Sequence, residues 1–156
     1  MFYRNLYEQV AAAGYKLIIK LHPQEEIRVF ENYFNQHENV GLYRDANLAN
    51  LVIDSDIVSG DYSTAMFYAI KYFKPLLILE SKFFKVYPFE FTNFGIGRKI
   101  SVTKISAVLN EEIEIDTKKY NSFLISYLSS QNGKSLYVNF YSEIERRFTN
   151  TESSIF

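Results

Sequence analysis

The feature that most limits this fold is an alternation: short apolar runs, each followed within a few residues by a helical stripe. "KLIIKL" (residues 16–21) and "PLLILE" (residues 75–80) are the clearest runs. They are apolar at successive rather than alternate positions, which predicts strands covered on both faces, as in parallel sheets. Leu6, Val10 and Ala13 form a helical stripe ended by Gly14, a residue suited to a C-cap. Ile27, Phe30, Tyr33 and Phe34 predict a second amphipathic helix, and Leu48, Leu51 and Val52 a third. "NVGLY", "IVSG" and "RKISVT" read as further strands, and "YSTAMFYAIKYFK" as a helix. "DTKKYNSFLISYLSSQ" reads as a helix ending at Asn132 and Gly133, with "SLYVNFYSEIERRF" as another. Such alternation predicts βαβ units: an α/β, Rossmann-like fold with a mostly parallel sheet flanked by helices. A single domain over residues 1–150 is expected, with 151–156 as a frayed tail.

Composition removes several function classes. Hydrophobic residues make up 47% of the 156, enough for a packed core and against disorder. A net charge of -1, with acids and bases interspersed, argues against a nucleic-acid binder with a basic face. Without cysteine there are no disulfides and no thiolate metal sites. The apolar runs fall far short of the ~20 residues that span a bilayer. "MFYRNLYEQVAAAGYK" lacks a signal-peptide core, so a cytoplasmic protein is expected. The 14 Phe and 13 Tyr often lie at helix-core spacing, as in Phe67, Ile70 and Phe73, and read as packing.

In open parallel sheets, ligands bind beyond the carboxyl ends of the strands. His22 stands at such an end, fixed by Pro23. "SGDYSTA" stands at another, with Ser63 and Thr64 at the start of a helix. Free backbone N–H groups and the helix dipole favour an anion there. Imidazole, hydroxyls and amides together suit a phosphate, with no metal or other cofactor required. Each element alone has a plain reading: Ser and Thr are ordinary N-caps, and a histidine can bond a loop carbonyl. Their joint occurrence after two buried strands makes the case, provided that both open on one rim of one sheet. Gly60 can allow close approach or a positive φ, and Glu80 can bond a ribose hydroxyl. Arg44 and Asp45 read as a solvated turn with a base-binding alternative, and His37 as a surface residue. "GIGRK" and "NGKS" lack the context of a phosphate loop.

"HP" at residues 22–23 followed by "DYSTAMFYAIKYFKPLLIL" resembles the C-terminal, donor-binding half of GT-B transferases of bacterial surface polysaccharides. The closest likeness is to CDP-glycerol glycerophosphotransferases of teichoic acid synthesis; bacterial sialyltransferases and polysialyltransferases share the motifs in the same order. The resemblance covers about residues 1–110. It implies a CDP- or CMP-linked donor, with His22 contacting its phosphate and assisting departure of the leaving group. It implies that Ser63 and Thr64 hold that phosphate, and that Asp61 is a structural member of the motif. It also implies a missing N-terminal acceptor domain or separate chain carrying the acceptor site and usually the base. An edge strand left bare by that absence would favour self-association. Two alternatives stand beside this reading: a GT-B enzyme with a uridine-linked donor or epimerase chemistry, and a non-catalytic domain docking through "FFKVYPFEF". Phe83, Phe84 and Tyr87 beside Lys82 and Lys85 offer a further option, a peripheral contact with the inner face of the membrane.

Overall fold

The computed structural model describes residues 2–34, 37–60, 64–80 and 91–128. It is an α/β structure of short parallel strands flanked by helices. In chain order the elements are α1 (Phe2–Ala12), β1 (Leu17–Lys20), α2 (Ile27–Phe34), β2 (Val40–Tyr43), α3 (Leu48–Ile53) and β3 (Val58–Gly60). Then come α4 (Thr64–Lys71), β4 (Leu76–Leu79), β5 (Arg98–Ile100), α5 (Ile105–Leu109) and α6 (Thr117–Phe123), which widens into a π turn over Leu124–Leu128. The strand and helix types match the sequence pattern from α1 to β4 and in α6; "RKISVT" is a strand only over Arg98–Ile100, turning at Val102–Lys104 into the short helix α5.

β4 organises the core. All four of its side chains are buried, and their alternation splits them between two layers. Leu76 and Ile78 pack with Val52, Met66, Ile70, Phe91, Tyr120 and Phe123, from α3, α4 and α6 and the turn before β5. Leu77 and Leu79 face the other way, against Val10 of α1 and Ile105, Val108 and Leu109 of α5. Burying each such side chain stabilises the fold by roughly 1.5–3 kcal/mol. A third cluster joins Leu21, Phe30 and Phe34 to Tyr3 and Tyr7 of α1.

The strands form two separately hydrogen-bonded sheets, where a single sheet was expected. β1 pairs with β2, and β3 with β4 and β5, all parallel. Leu17 packs into both the α1–α5 cluster and the α2 cluster, so hydrophobic contact, not a strand ladder, links β1 to the larger sheet among the described residues. The expectation of a β1 covered on both faces is also corrected: Leu17 and Ile19 pack inward, while Ile18 is 36% exposed. An apolar run announces a strand, but cannot say how many layers will cover it. Tyr33 is a similar correction. Ile27, Phe30 and Phe34 pack inward, whereas Tyr33 lies at the edge of that stripe and is 53% exposed.

Two helices, α1 and α4, end in left-handed caps. Gly14, at φ +78°, closes α1 with Gly14 N–H donating to Ala11 O and Tyr15 N–H to Val10 O, the paired bonds of a Schellman motif. The same pair closes α4 around Phe73, at φ +52°, where Phe73 N–H reaches Ile70 O and Lys74 N–H reaches Ala69 O. An aromatic residue is strained in this conformation; its ring stacks on Tyr120, with centroids 6.1 Å apart. Asp116 caps α6 by accepting the N–H groups of Lys118 and Lys119, each at 3.1 Å. The glycines of "GIGRK" are structural: Gly95 ends the short turn over Phe91–Phe94, and both it and Gly97 hold positive φ. A Cβ at Gly97 would come within 3.0 Å of Leu76 O.

Candidate functional site

His22 follows β1 directly and sits in a turn built from its own neighbours. Leu21 is pinned by donating its N–H to Tyr43 O at 2.8 Å, extending the β1–β2 ladder past the strand. Beyond it, Glu25 N–H donates to His22 O at 2.9 Å, closing residues 22–25 as a β-turn. Pro23 occupies the second position, where its fixed φ is already suited to the turn. The first position of such turns favours a side chain that accepts the N–H two residues on, usually from Asp, Asn or Ser. Here the imidazole does so: Gln24 N–H donates to His22 Nδ1 at 3.3 Å. His22 N–H in turn donates to Glu25 Oε2 at 2.6 Å. Since Nδ1 accepts, Nε2 carries the proton of the neutral ring. Nε2 has no partner among the described residues, and His22 is exposed. The arrangement presents an N–H donor to solvent at the carboxyl end of a parallel strand, a place suited to an anionic oxygen.

Lys20 holds this rim together. Its ammonium donates to Leu21 O at 2.8 Å and to Arg44 O at 2.7 Å, tying the carboxyl ends of β1 and β2. Arg44 and Asp45 pair at 3.5 Å on the same rim, Asp45 well exposed. The Tyr43 ring folds over Gly41, where a Cβ would lie 2.8 Å from the ring edge. Sequence reasoning missed Lys20 and Glu25. The signal for Glu25 was its place at the fourth position of a turn opened by His-Pro; nothing in a strand-terminal lysine announces a bridge to the next strand.

The other predicted residues belong to the larger sheet, so the expectation that His22 and the start of α4 open on one rim of one sheet is corrected. Among the described residues β1 ends in the β1–β2 sheet and β3 in the β3–β4–β5 sheet, because β1 and β3 share no ladder. Gly60 is the last residue of β3 and pairs with Ile78; it is a ladder residue, and the glycines with positive φ among the described residues are Gly14, Gly95 and Gly97. The positive-φ role for Gly60 is thereby corrected. Thr64 is the first residue of α4, as expected from "DYST". Asp61, Ser63 and the Thr64 side chain lie outside the described residues, as do residues 83–90 of "FFKVYPFEF"; its last residue, Phe91, is packed into the core. Glu80 is exposed just past β4, with its N–H donating to Ile100 O at 2.9 Å. His37 is half-buried rather than a solvated surface residue: its ring lies on Tyr7, with centroids 3.9 Å apart, because the end of α2 folds back on α1.

A cleft of about 200 Å³ opens elsewhere, at the amino ends of β4 and β5, beside Pro75, Arg98, Glu112, Glu114 and Asp116. Parallel pairing puts it on the edge opposite the Gly60 and Glu80 tips. Two of its four charged lining residues are partnered, Arg98 with Glu111 and Asp116 with Lys119. The N–H of Lys119, above all, holds the Asp116 carboxyl below its ordinary range. Tyr120 lines the cleft with its hydroxyl donating to Lys74 O at 3.1 Å, and burial pushes that phenol up to about 12. Among the described residues no group of three or more His, Asp or Glu side chains could hold a metal ion. No described helix is long and apolar enough to cross a membrane.

Comparison with known proteins reaches the first 76 of the 156 residues, just under half of the chain. Residues 1–76 match the family model of alpha-2,8-polysialyltransferase (POLYST). The stretch takes in His22, Gly60, Asp61, Ser63 and Thr64, and ends before Glu80. Searches among curated proteins and among solved structures return no significant match. Over residues 1–76 the chain is similar to the alpha-2,8-polysialyltransferase family.

Proposed function

We propose that this chain is the donor-nucleotide-binding part of a GT-B type glycosyltransferase for a surface polysaccharide, using a CMP-linked sugar. The observation that carries the reading is the His22 turn, which leaves Nε2–H as an outward donor at the end of β1, inside the polysialyltransferase-like stretch. In the transfer, the bond between the anomeric carbon and the phosphate oxygen breaks, and its electron pair stays on the departing CMP. His22 Nε2–H donates to an oxygen of that phosphate. The hydroxyls of Ser63 and Thr64 and the first N–H groups of α4 take up the charge as it develops. Fixed donors of this kind need no reorganisation at the moment of bond breaking. The new bond forms to an acceptor hydroxyl, whose proton passes to a base on an acceptor-binding partner domain. Asp61 is a structural member of the motif, and Glu80 meets the ribose.

The polysialyltransferase match shifts the preferred donor from CDP-glycerol to a CMP-linked sugar, while the glycerophosphotransferase resemblance remains the second reading. Because both reactions release CMP, calorimetry of the full chain with CMP and UMP tests the cytidine reading, and titration with a CMP-linked sugar against CDP-glycerol separates the two donors. CMP is expected to bind best, and His22→Ala to weaken it about tenfold or more, the worth of one hydrogen bond to a charged group. Preference for UMP, or equal affinity of the wild type and His22→Ala for CMP, would overturn the assignment.

A further inference from the structure

We infer that Glu25 is a positioning residue for His22, holding the turn that fixes one imidazole tautomer. The inference rests on the reading of His22 as the phosphate contact. The Glu25 carboxylate accepts His22 N–H at 2.6 Å, and Glu25 N–H returns to His22 O at 2.9 Å. These bonds close residues 22–25 from both sides, with Pro23 stiffening the middle. Only in the closed turn does Gln24 N–H point at Nδ1, and at 3.3 Å that bond is too long to orient the ring unaided. The charge-assisted bond to Glu25 is the short one of the three, so it sets the geometry that the weak one exploits. A ring so held offers Nε2–H every time a phosphate arrives, whereas a free imidazole exchanges tautomers and rotamers. Lys20 fixes where the turn sits on the rim; Glu25 fixes which nitrogen faces outward.

The test uses the full chain with nitrogen-15 labelled histidine, recorded by NMR at a pH where the ring is neutral, for wild type, Glu25→Ala and Glu25→Gln. Glutamine retains an acceptor oxygen. Wild type is expected to show His22 in one tautomer with Nδ1 unprotonated. Glu25→Ala should drift toward the tautomer average of a solvated imidazole, and Glu25→Gln should recover most of the wild-type spectrum. CMP affinity should fall about three- to tenfold in Glu25→Ala and return to within about twofold in Glu25→Gln, as expected for lost pre-organisation. An unchanged His22 spectrum in Glu25→Ala overturns the inference, whether or not affinity falls. Should CMP bind none of the three proteins, the phosphate reading fails, while the spectra still decide the positioning role.

Discussion

Replacing Tyr120 by Phe removes one hydroxyl from the packed face of α6. In the folded chain Tyr120 is 3% exposed, and burial raises its phenol from 10.0 to about 12. The neutral phenol is thus favoured by folding. Its contribution is fully present below pH 10 and is lost as pH rises through about 12, because the unfolded chain gives up the proton first. Near pH 11 an unfolded-state phenol at its ordinary value is about nine-tenths ionised while the folded one is about one-tenth ionised, a loss of about 1.4 kcal/mol. Below that range, Tyr120→Phe should be the less stable protein by about 0.5–1.5 kcal/mol, having lost the hydrogen bond to Lys74 O. The two stability curves should therefore converge near pH 11. Urea titrations near pH 8 and pH 11, followed by circular dichroism, read this directly. The other tyrosines titrate in both proteins and cancel in the difference. A gap between wild type and variant that stays constant over this range would refute the burial argument.

Three further outcomes follow from the fold and the rim. Leu77→Ala, which empties a position 1% exposed between β4 and the α1–α5 layer, should cost about 2–5 kcal/mol in the same urea assay. Gly14→Ala should cost about 1 kcal/mol although a Cβ there meets nothing within 4 Å, since the penalty is backbone strain at φ +78°. Lys20→Met keeps the apolar stem but drops both carbonyl bonds, so amide hydrogen exchange at Leu21 and Arg44 should quicken while α4 and β4 exchange unchanged.

How much of this the sequence disclosed depends on which forces set each feature. β4 was legible as a strand because Leu76–Leu79 are apolar at four successive positions, and the packing of α4 and α6 on one face and α1 and α5 on the other buries all four. Gly14 was legible because its role is local, needing only a free left-handed conformation. Phe73 was not: an aromatic in the left-handed region is held by the stack on Tyr120, 47 positions away, and no propensity announces it. Ile18 and the division into two sheets were missed for the same reason, since coverage and pairing partners are tertiary facts. The placements of His22 just past a strand and of Thr64 at the first position of a helix were legible from the pattern of apolar runs. Glu25 needed the turn itself, because its role exists only once residues 22–25 have closed.

The proposal stands on one shared anion gripped by His22 and by the start of α4. The measurement that reaches it most directly is an NMR titration of the full chain with CMP. It would watch the His22 imidazole together with the Ser63 and Thr64 amides. Both sets of resonances should move along one binding curve, with a single dissociation constant. Movement of one set alone, or saturation of the two at different CMP concentrations, would contradict a common phosphate.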